Sequence, residues 1–212
     1  MISIIDYKAG NLTSVERALK KLSIPCRITN DPNCVLESDR VIFPGVGAAG
    51  EAMKALQANG LDLAIKAYFL SGRPLLGICL GTQVILEFSQ ENRTPCLGIL
   101  PGEVLRFPNP HLDQAGEVLK IPHMGWNRVE WTRNHPLIQR VSPESTFYFV
   151  HAYYPNPLKE SGVLGWTDYG IRFPSALAYR NLVALQFHPE KSGPPGLALL
   201  KSFSEWEGRD AD

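Results

Sequence analysis

The chain runs Arg73-Pro-Leu-Leu-Gly-Ile-Cys79-Leu-Gly-Thr-Gln83 near its middle, and the architecture follows from how that run folds. Pro74 to Ile78 is a short apolar stretch of the kind a buried parallel strand needs. Thr82 to Phe88 then reads as a helix, because Val84, Ile85 and Phe88 recur at helical spacing. Cys79 stands at the junction, with Gly77 and Gly81 two residues away on either side. The result is a Gly-x-Cys-x-Gly elbow, the thiol counterpart of the Gly-x-Ser-x-Gly nucleophile turn. Side chains at the two glycines would clash where strand and helix bend back on each other. A thiol placed there meets the positive end of the helix dipole, which favours the thiolate. The Leu80 N–H should point outward, free to bind an oxyanion. On its own the motif equally describes a buried cysteine between turn glycines. Function then depends on a base and a second oxyanion donor elsewhere in the chain.

Upstream of the elbow, strands and helices alternate. Ile2 to Ile5 is a strand, followed by a loop at Lys8-Ala-Gly-Asn11. Val15, Ala18, Leu19 and Leu22 form an amphipathic helical stripe, and Thr13 with Glu16 fits a capping box. Cys26 to Thr29 is a second strand. Asp31-Pro32 suits the cap and first turn of a brief helix. Val41 to Phe43 is a third strand that runs into Pro44-Gly-Val-Gly47, and two helical stretches follow, one with Met53 and Leu56, one with Leu61, Ile65 and Leu70. This alternation predicts an α/β fold: a doubly wound, mostly parallel sheet with helices on both faces.

Beyond about Cys96 the texture changes. Strand-like runs come in close succession at 99–107, 118–121, 129–131, 147–152, 163–167, 176–179 and 183–187. Short links between several of them predict antiparallel strands added to the sheet. Pro108 to Gly116 reads as a hairpin tip rather than a domain boundary, so residues 1–212 read as one domain. Leu197, Leu200 and Trp206 place a closing helix, and Glu207 to Asp212 form a polar tail.

Composition narrows the function classes. Lys plus Arg and Asp plus Glu both number 21, so no net field draws the chain to nucleic acid or acidic lipid. Hydrophobic residues make up 44 % and charged residues 20 %, enough apolar material for a large core in 212 residues. No apolar run approaches the roughly 18 residues of a membrane helix. Met1 to Asp6 is charged too early to open a signal peptide. Cys26, Cys34, Cys79 and Cys96 lack Cys-x-x-Cys spacing, which argues against zinc. They are expected as reduced thiols in the cytoplasm.

Two further constellations carry chemistry. Pro44-Gly-Val-Gly47 lies at the C-terminal end of a strand, the edge where ligands bind in a doubly wound sheet, though an ordinary strand-to-helix turn looks the same. Leu182 to Phe187 ends in His188-Pro189-Glu190-Lys191-Ser192. A histidine and a carboxylate two residues apart, held by a proline, suit a base and the group that orients it. Of the other histidines, His111 is expected in solvent, His135 at a helix start, and His123 and His151 at aromatic-rich strand ends. Pro122-His-Met-Gly-Trp126-Asn127 and Tyr148-Phe-Val-His-Ala-Tyr-Tyr154 are dense in aromatics. Trp126 and Tyr153, next to turn-like residues, fit a recognition face better than a core.

Gly-Ile-Cys79-Leu-Gly-Thr-Gln83 together with Gln186-Phe-His188-Pro-Glu190-Lys-Ser192 resembles the class I (triad) glutamine amidotransferases. Pro44-Gly-Val-Gly47, Pro122 to Asn127 and Tyr148 to His151 narrow the resemblance to the glutaminase subunits of imidazole glycerol phosphate synthase. The similarity runs from the first strand to the last helix. It implies Cys79 as nucleophile, His188 as general base and acid, and Glu190 as the orienting carboxylate. It implies Leu80 with Gly45, Val46 and Gly47 at the oxyanion site, and Gln83, Ala152 and Tyr153 against bound glutamine. Asn11, Trp126 and Lys191 match positions facing a (β/α)8-barrel cyclase subunit in a heterodimer. No cofactor and no metal are implied. Thr82 stands where the family usually has Met, and Ala152 where it often has Ser or Thr, and both could modulate glutamine affinity. A glutaminase serving another synthase, or a silent regulatory domain, remains open at this point.

Overall fold

In a computed structural model, residues 1–8 and 10–209 are described. The loop expected at Lys8–Asn11 contains Ala9, and the polar tail expected after Glu207 ends in residues 210–212. Those four residues lie outside the described ones.

The first half follows the expected alternation: β1 (Ile2–Ile5), α1 (Leu12–Lys21), β2 (Cys26–Thr29), α2 (Pro32–Leu36), β3 (Arg40–Phe43), α3 (Ala49–Ala58), α4 (Leu61–Leu70), β4 (Leu75–Ile78) and α5 (Leu80–Val84). The second half is mainly strands: β5 (Phe88–Ser89), β6 (Thr94–Pro95), β7 (Gly102–Arg106), β8 (His123–Arg128), β9 (Glu130–Trp131), β10 (Thr146–His151), β11 (Tyr153–Pro157), β12 (Val163–Tyr169), β13 (Ile171–Tyr179) and β14 (Leu182–Leu185). The helix α6 (Gly193–Glu205) closes the chain.

The main sheet has the order β2-β1-β3-β4-β14-β13-β12-β9. Its first five strands are parallel, and β13, β12 and β9 extend it antiparallel. Side chains alternate between two cores, as a sheet covered on both faces requires. Val41 and Phe43 of β3 face the core shared with α2 to α5, whereas Ile42 faces the core shared with α1 and α6. The same alternation splits Leu182 and Ala184 from Val183 and Leu185 in β14. The doubly wound reading therefore holds. Strand order reverses between β1 and β3, so a crevice opens beyond their C-terminal ends. The loops after β1 and β3 and the Cys79 elbow border it.

Several expectations need correction. The helix after Cys79 stops at Val84, and Phe88 begins β5 instead. The apolar residues 84–86 are all buried, so their periodicity reflects a core rather than a helix face. The Thr13–Glu16 capping box does not form. Helix α1 starts at Leu12 after Asn11, which has a left-handed backbone and gives no side-chain cap. Not every late strand joins the main sheet. β10 pairs only with β8, and β11-β7-β5-β6 make a separate four-stranded sheet. Residues 118–121 contribute a single bridge, Leu112 to Val118, rather than a strand. That bridge and the turn at Asp113–Gly116 make the expected hairpin tip. The strand β11 contains Pro155 and Pro157, which its position at a sheet edge tolerates.

Candidate active site

Cys79 follows the last residue of β4 directly, and His188 lies three residues beyond β14. The two strands are adjacent and parallel, with Ile78 opposite Leu185. Their C-terminal ends therefore carry sulfur and imidazole to the same edge of the sheet. The Cys79 N–H donates to the Leu185 carbonyl at 2.8 Å, and the Thr82 hydroxyl donates to that same oxygen at 2.7 Å. Thr82 is thus a buried tie between elbow and histidine strand, and it does not line the pocket.

The elbow is tight. Cys79 has φ 53° and ψ −105°, a conformation that costs a non-glycine residue about 1–3 kcal/mol. A Cβ on Gly81 would meet the Phe43 carbonyl oxygen at 1.8 Å. One on Gly77 would press the Ala184 Cβ at 3.2 Å, so the steric reason expected for both glycines is present. The short α5 spans only five residues, however, and offers little dipole. The charge partner of the thiol is His188 instead.

His188 is fully buried, and its Nδ1–H donates to Glu190 Oε1 at 2.7 Å. Asn11, half-buried, donates its amide to the same carboxylate oxygen. Asn11 was expected to face a partner; its side chain turns inward to the carboxylate. With Nδ1 committed, Nε2 is left for the nucleophile. It is buried and has no hydrogen bond of ordinary geometry. Burial disfavours the charged ring, yet the neighbouring Cys79 and Glu190 outweigh it and raise His188 to about 10. A sulfur, a ring nitrogen and an orienting carboxylate in this relation can run nucleophilic acyl transfer.

The sulfur opens into a cavity of about 300 Å³ lined by Val46, Gly47, Leu80, Gln83, Glu91, Pro122, Val150, His151, Ala152 and Tyr153. Every residue expected against glutamine or its oxyanion is there, apart from Gly45, which sits behind Leu80. Glu91 was missed in the sequence. It is the one acidic side chain among the described lining residues, and one of its oxygens accepts the Ala49 N–H at 2.6 Å. No periodicity marks it, because it sits in a 3-10 turn between two-residue strands.

The oxyanion donor is not free. The Leu80 N–H donates to the Gly45 carbonyl at 3.2 Å, so that carbonyl occupies the place where an oxyanion would bind. A Cβ on Gly45 would fall 1.7 Å from the hydroxyl of the buried Tyr7, so a side chain there would force that ring aside. Gly47 has φ 107°, a left-handed value that glycine accepts without strain.

Two of the side chains expected on a recognition face, Trp126 and Lys191, lie beside this mouth. Trp126 is 57 % exposed and Met124 63 % exposed on β8. The Trp126 ring packs 6.0 Å from Tyr148, and Lys191 Nζ lies 5.9 Å above the same ring. The Tyr148 carbonyl accepts the His188 N–H at 2.9 Å, which joins that face to the triad. His111, expected in solvent, is instead buried against Phe107 and Tyr169, with Nε2 2.5 Å from the Tyr169 carbonyl oxygen. His135 caps a 3-10 turn as expected, accepting from the Leu137 N–H at 3.2 Å.

The family profile "Glutamine amidotransferase class-I" matches residues 3–205. The chain belongs to that family. Curated relatives sharpen the grouping. An imidazole glycerol phosphate synthase subunit HisH from Nitratidesulfovibrio vulgaris (strain DP4) is 50 % identical over 212 residues, covering 100 % of this chain and 99 % of the relative. The protein of the same description from Pseudomonas putida is 45 % identical over 210 residues, covering 98 % of each. Among solved structures, one described as a glutamine amidotransferase superposes with a TM-score of 0.72 at 20 % identity, over 95 % of this chain and 98 % of the other. A glutamine amidotransferase from Thermotoga maritima gives 0.63 at 16 % identity, over 95 % and 89 %. At such identities these two speak for the fold alone. Among the described residues no cluster of side chains could hold a metal ion, and no helix is long and apolar enough to cross a membrane.

Proposed function

We propose that this glutaminase subunit of imidazole glycerol phosphate synthase works through Cys79, His188 and Glu190 as its triad. The observation that carries the reading is a Glu190-oriented His188 brought beside Cys79, whose sulfur opens into the pocket, within a chain half identical to HisH subunits. Cys79 thiolate attacks the glutamine carboxamide carbon, and the C–N bond breaks as protonated His188 donates to the departing ammonia. A γ-glutamyl thioester remains. His188 then takes a proton from water, which attacks the thioester and releases glutamate. The pocket suits glutamine. The Glu91 carboxylate pairs with the α-ammonium, and Gln83, Ala152 and Tyr153 flank the chain. Residues 1–212 act as one domain, in the cytoplasm, and the reaction needs no cofactor.

Ammonia is lost as ammonium in bulk water, so it passes directly into a partner. That partner is a (β/α)8-barrel cyclase, which joins ammonia to a phosphoribulosyl-formimino intermediate. The products are imidazole glycerol phosphate and an aminoimidazole carboxamide ribonucleotide. Trp126, Tyr148 and Lys191 beside the mouth form the docking face, and Asn11 links it to the triad. The Gly45 carbonyl on the Leu80 N–H supports a regulatory reading. The Gly45–Gly47 strand must turn before Leu80 and a second N–H can hold the oxyanion, and each such donor is worth about 2.7–4 kcal/mol. The isolated chain then hydrolyses glutamine poorly.

Cys79→Ala tests the chemistry. It is expected to abolish glutamine-dependent synthesis in the complex and to leave synthesis from free ammonia intact. Loss of both activities would make the cysteine structural. Glutamine turnover measured with and without the substrate-loaded partner tests the regulation, and equal rates would remove it.

A further inference from the structure

Gln186 lies one residue beyond β14 and two before His188, and it is completely buried. A primary amide taken out of water must find partners at both ends. Its oxygen accepts from Gln83 Nε2 at 3.1 Å. Its nitrogen lies 3.8 Å from the Cys79 sulfur, the acceptor it finds. Neighbouring groups fix which end is which. A backbone carbonyl can only accept, so the Gln83 atom 2.9 Å from the Tyr153 carbonyl oxygen is its NH2. That same NH2 reaches Gln186, so the Gln186 atom there is the oxygen. The NH2 of Gln186 is then turned toward sulfur.

We propose that Gln186 is a further catalytic residue of this site, whose amide N–H donates to the Cys79 sulfur and favours its thiolate form. The proposal rests on the glutaminase reading of Cys79. A thiol sulfur is a weak acceptor, whereas a hydrogen bond to an ionised partner is roughly twice as strong as a neutral one. The amide therefore discriminates between the two protonation states of the nucleophile. It acts twice in the cycle. Before attack it favours the thiolate over the thiol that the Val150 carbonyl oxygen favours; that oxygen lies 4.0 Å from the sulfur and can only accept a hydrogen bond from S–H. During thioester hydrolysis water adds to the acyl carbon, one water proton goes to His188, and the C–S bond breaks with its electron pair on sulfur. A better stabilised thiolate leaves faster.

Other titratable groups also face the sulfur or its pocket. They are His188 with Glu190 behind it, Tyr7 from the loop after β1, His151 and Glu91. The neutral substitution Gln186→Met removes none of these groups.

The test is the pH dependence of Cys79 alkylation by iodoacetamide in the full chain, followed on the Cys79 peptide by mass spectrometry. Gln186→Met keeps the length and removes the donor. It is expected to raise the pH of half-maximal alkylation by about one unit, the size of a hydrogen bond to a charged group. Gln186→Glu, which adds repulsion, is expected to raise it further. A residue that only packs would lower the thermal midpoint and leave the pH profile unmoved, and that result overturns the proposal. Should Gln186→Met fail to fold, Gln186→Leu, which likewise removes the donor, carries the same test. An upward shift supports the proposal and an unmoved profile overturns it. The underlying reading fails by a different sign: wild-type Cys79 would then gain no protection from glutamine against a glutamine-mimicking electrophile.

Discussion

At the scale of single residues, the site depends on which partner consumes each polar atom. Glu190 Oε1 receives both His188 Nδ1–H and the Asn11 amide. Asn11→Ala leaves the carboxylate one donor short and frees the imidazole to turn. A charge-assisted hydrogen bond contributes about 1.5–3 kcal/mol, so kcat for glutamine in the complex is expected to fall about tenfold or more with KM little changed. Steady-state kinetics check this, and an effect confined to partner affinity would return Asn11 to a purely docking role. Thr82 shows the opposite case. Its residue type departs from the family pattern, but its hydroxyl is bound to the Leu185 carbonyl within the core. Thr82→Val is expected to cost about 1 kcal/mol of stability in urea unfolding without moving the KM for glutamine.

At the scale of elements, the elbow is where local geometry and the sheet constrain each other. Strand β4 delivers Cys79 with a backbone of positive φ, and α5 can turn away only because Gly81 lets it approach the end of β3. Gly81→Ala drives a methyl group into the Phe43 carbonyl, an atom of the backbone that cannot swing aside. The expected loss is about 3 kcal/mol, read as a lowered urea midpoint. A midpoint close to wild type would mean that the elbow relaxes freely. The antiparallel pair of β8 and β10 does the complementary work. It seats His123 and His151 beneath the pocket, and His123 Nδ1 lies 3.1 Å from His151 Nε2. The His151 Nδ1–H donates to the Tyr153 carbonyl at 2.8 Å, which fixes the direction of the whole chain of hydrogen bonds.

At the scale of the molecule, these rings set how stability responds to pH. Burial, then the neighbouring His111, holds His123 down at about 4, and burial, then His123, holds His151 at about 3. Below the unperturbed value of about 6.5 the unfolded chain takes up protons that the folded rings refuse, so stability falls as pH falls toward 4. His188 behaves in the reverse sense. Its folded value of about 10 lies above the unfolded one, so its contribution is complete below about 6.5 and disappears as pH rises toward 10. Stability is therefore expected to peak near neutral pH. Each buried ring adds a slope of up to about 1.4 kcal/mol per pH unit on the acid side. Urea midpoints measured on both sides of neutrality check this, and His151→Gln should flatten the acid limb. An unchanged limb would show that those rings protonate without opening the fold.

The parallel half of the sheet, the elbow and the three triad candidates were legible in the amino-acid order alone. Those rest on local rules: apolar runs between turn residues, glycines flanking a bent backbone, and a carboxylate two positions from a histidine. Other features exist only once distant segments pack together. Helix α5 ends at Val84 although apolar residues continue at helical spacing, because those residues are buried in the core and not along one helix face. The approach of Glu91 to the pocket, the contact of the Gln186 amide with sulfur and the inward turn of Asn11 exist only in the packed chain, and no spacing rule joins those side chains to Cys79. The Gly45 carbonyl on the Leu80 N–H was likewise invisible, because glycine permits either orientation of its peptide and only the surrounding packing selects one.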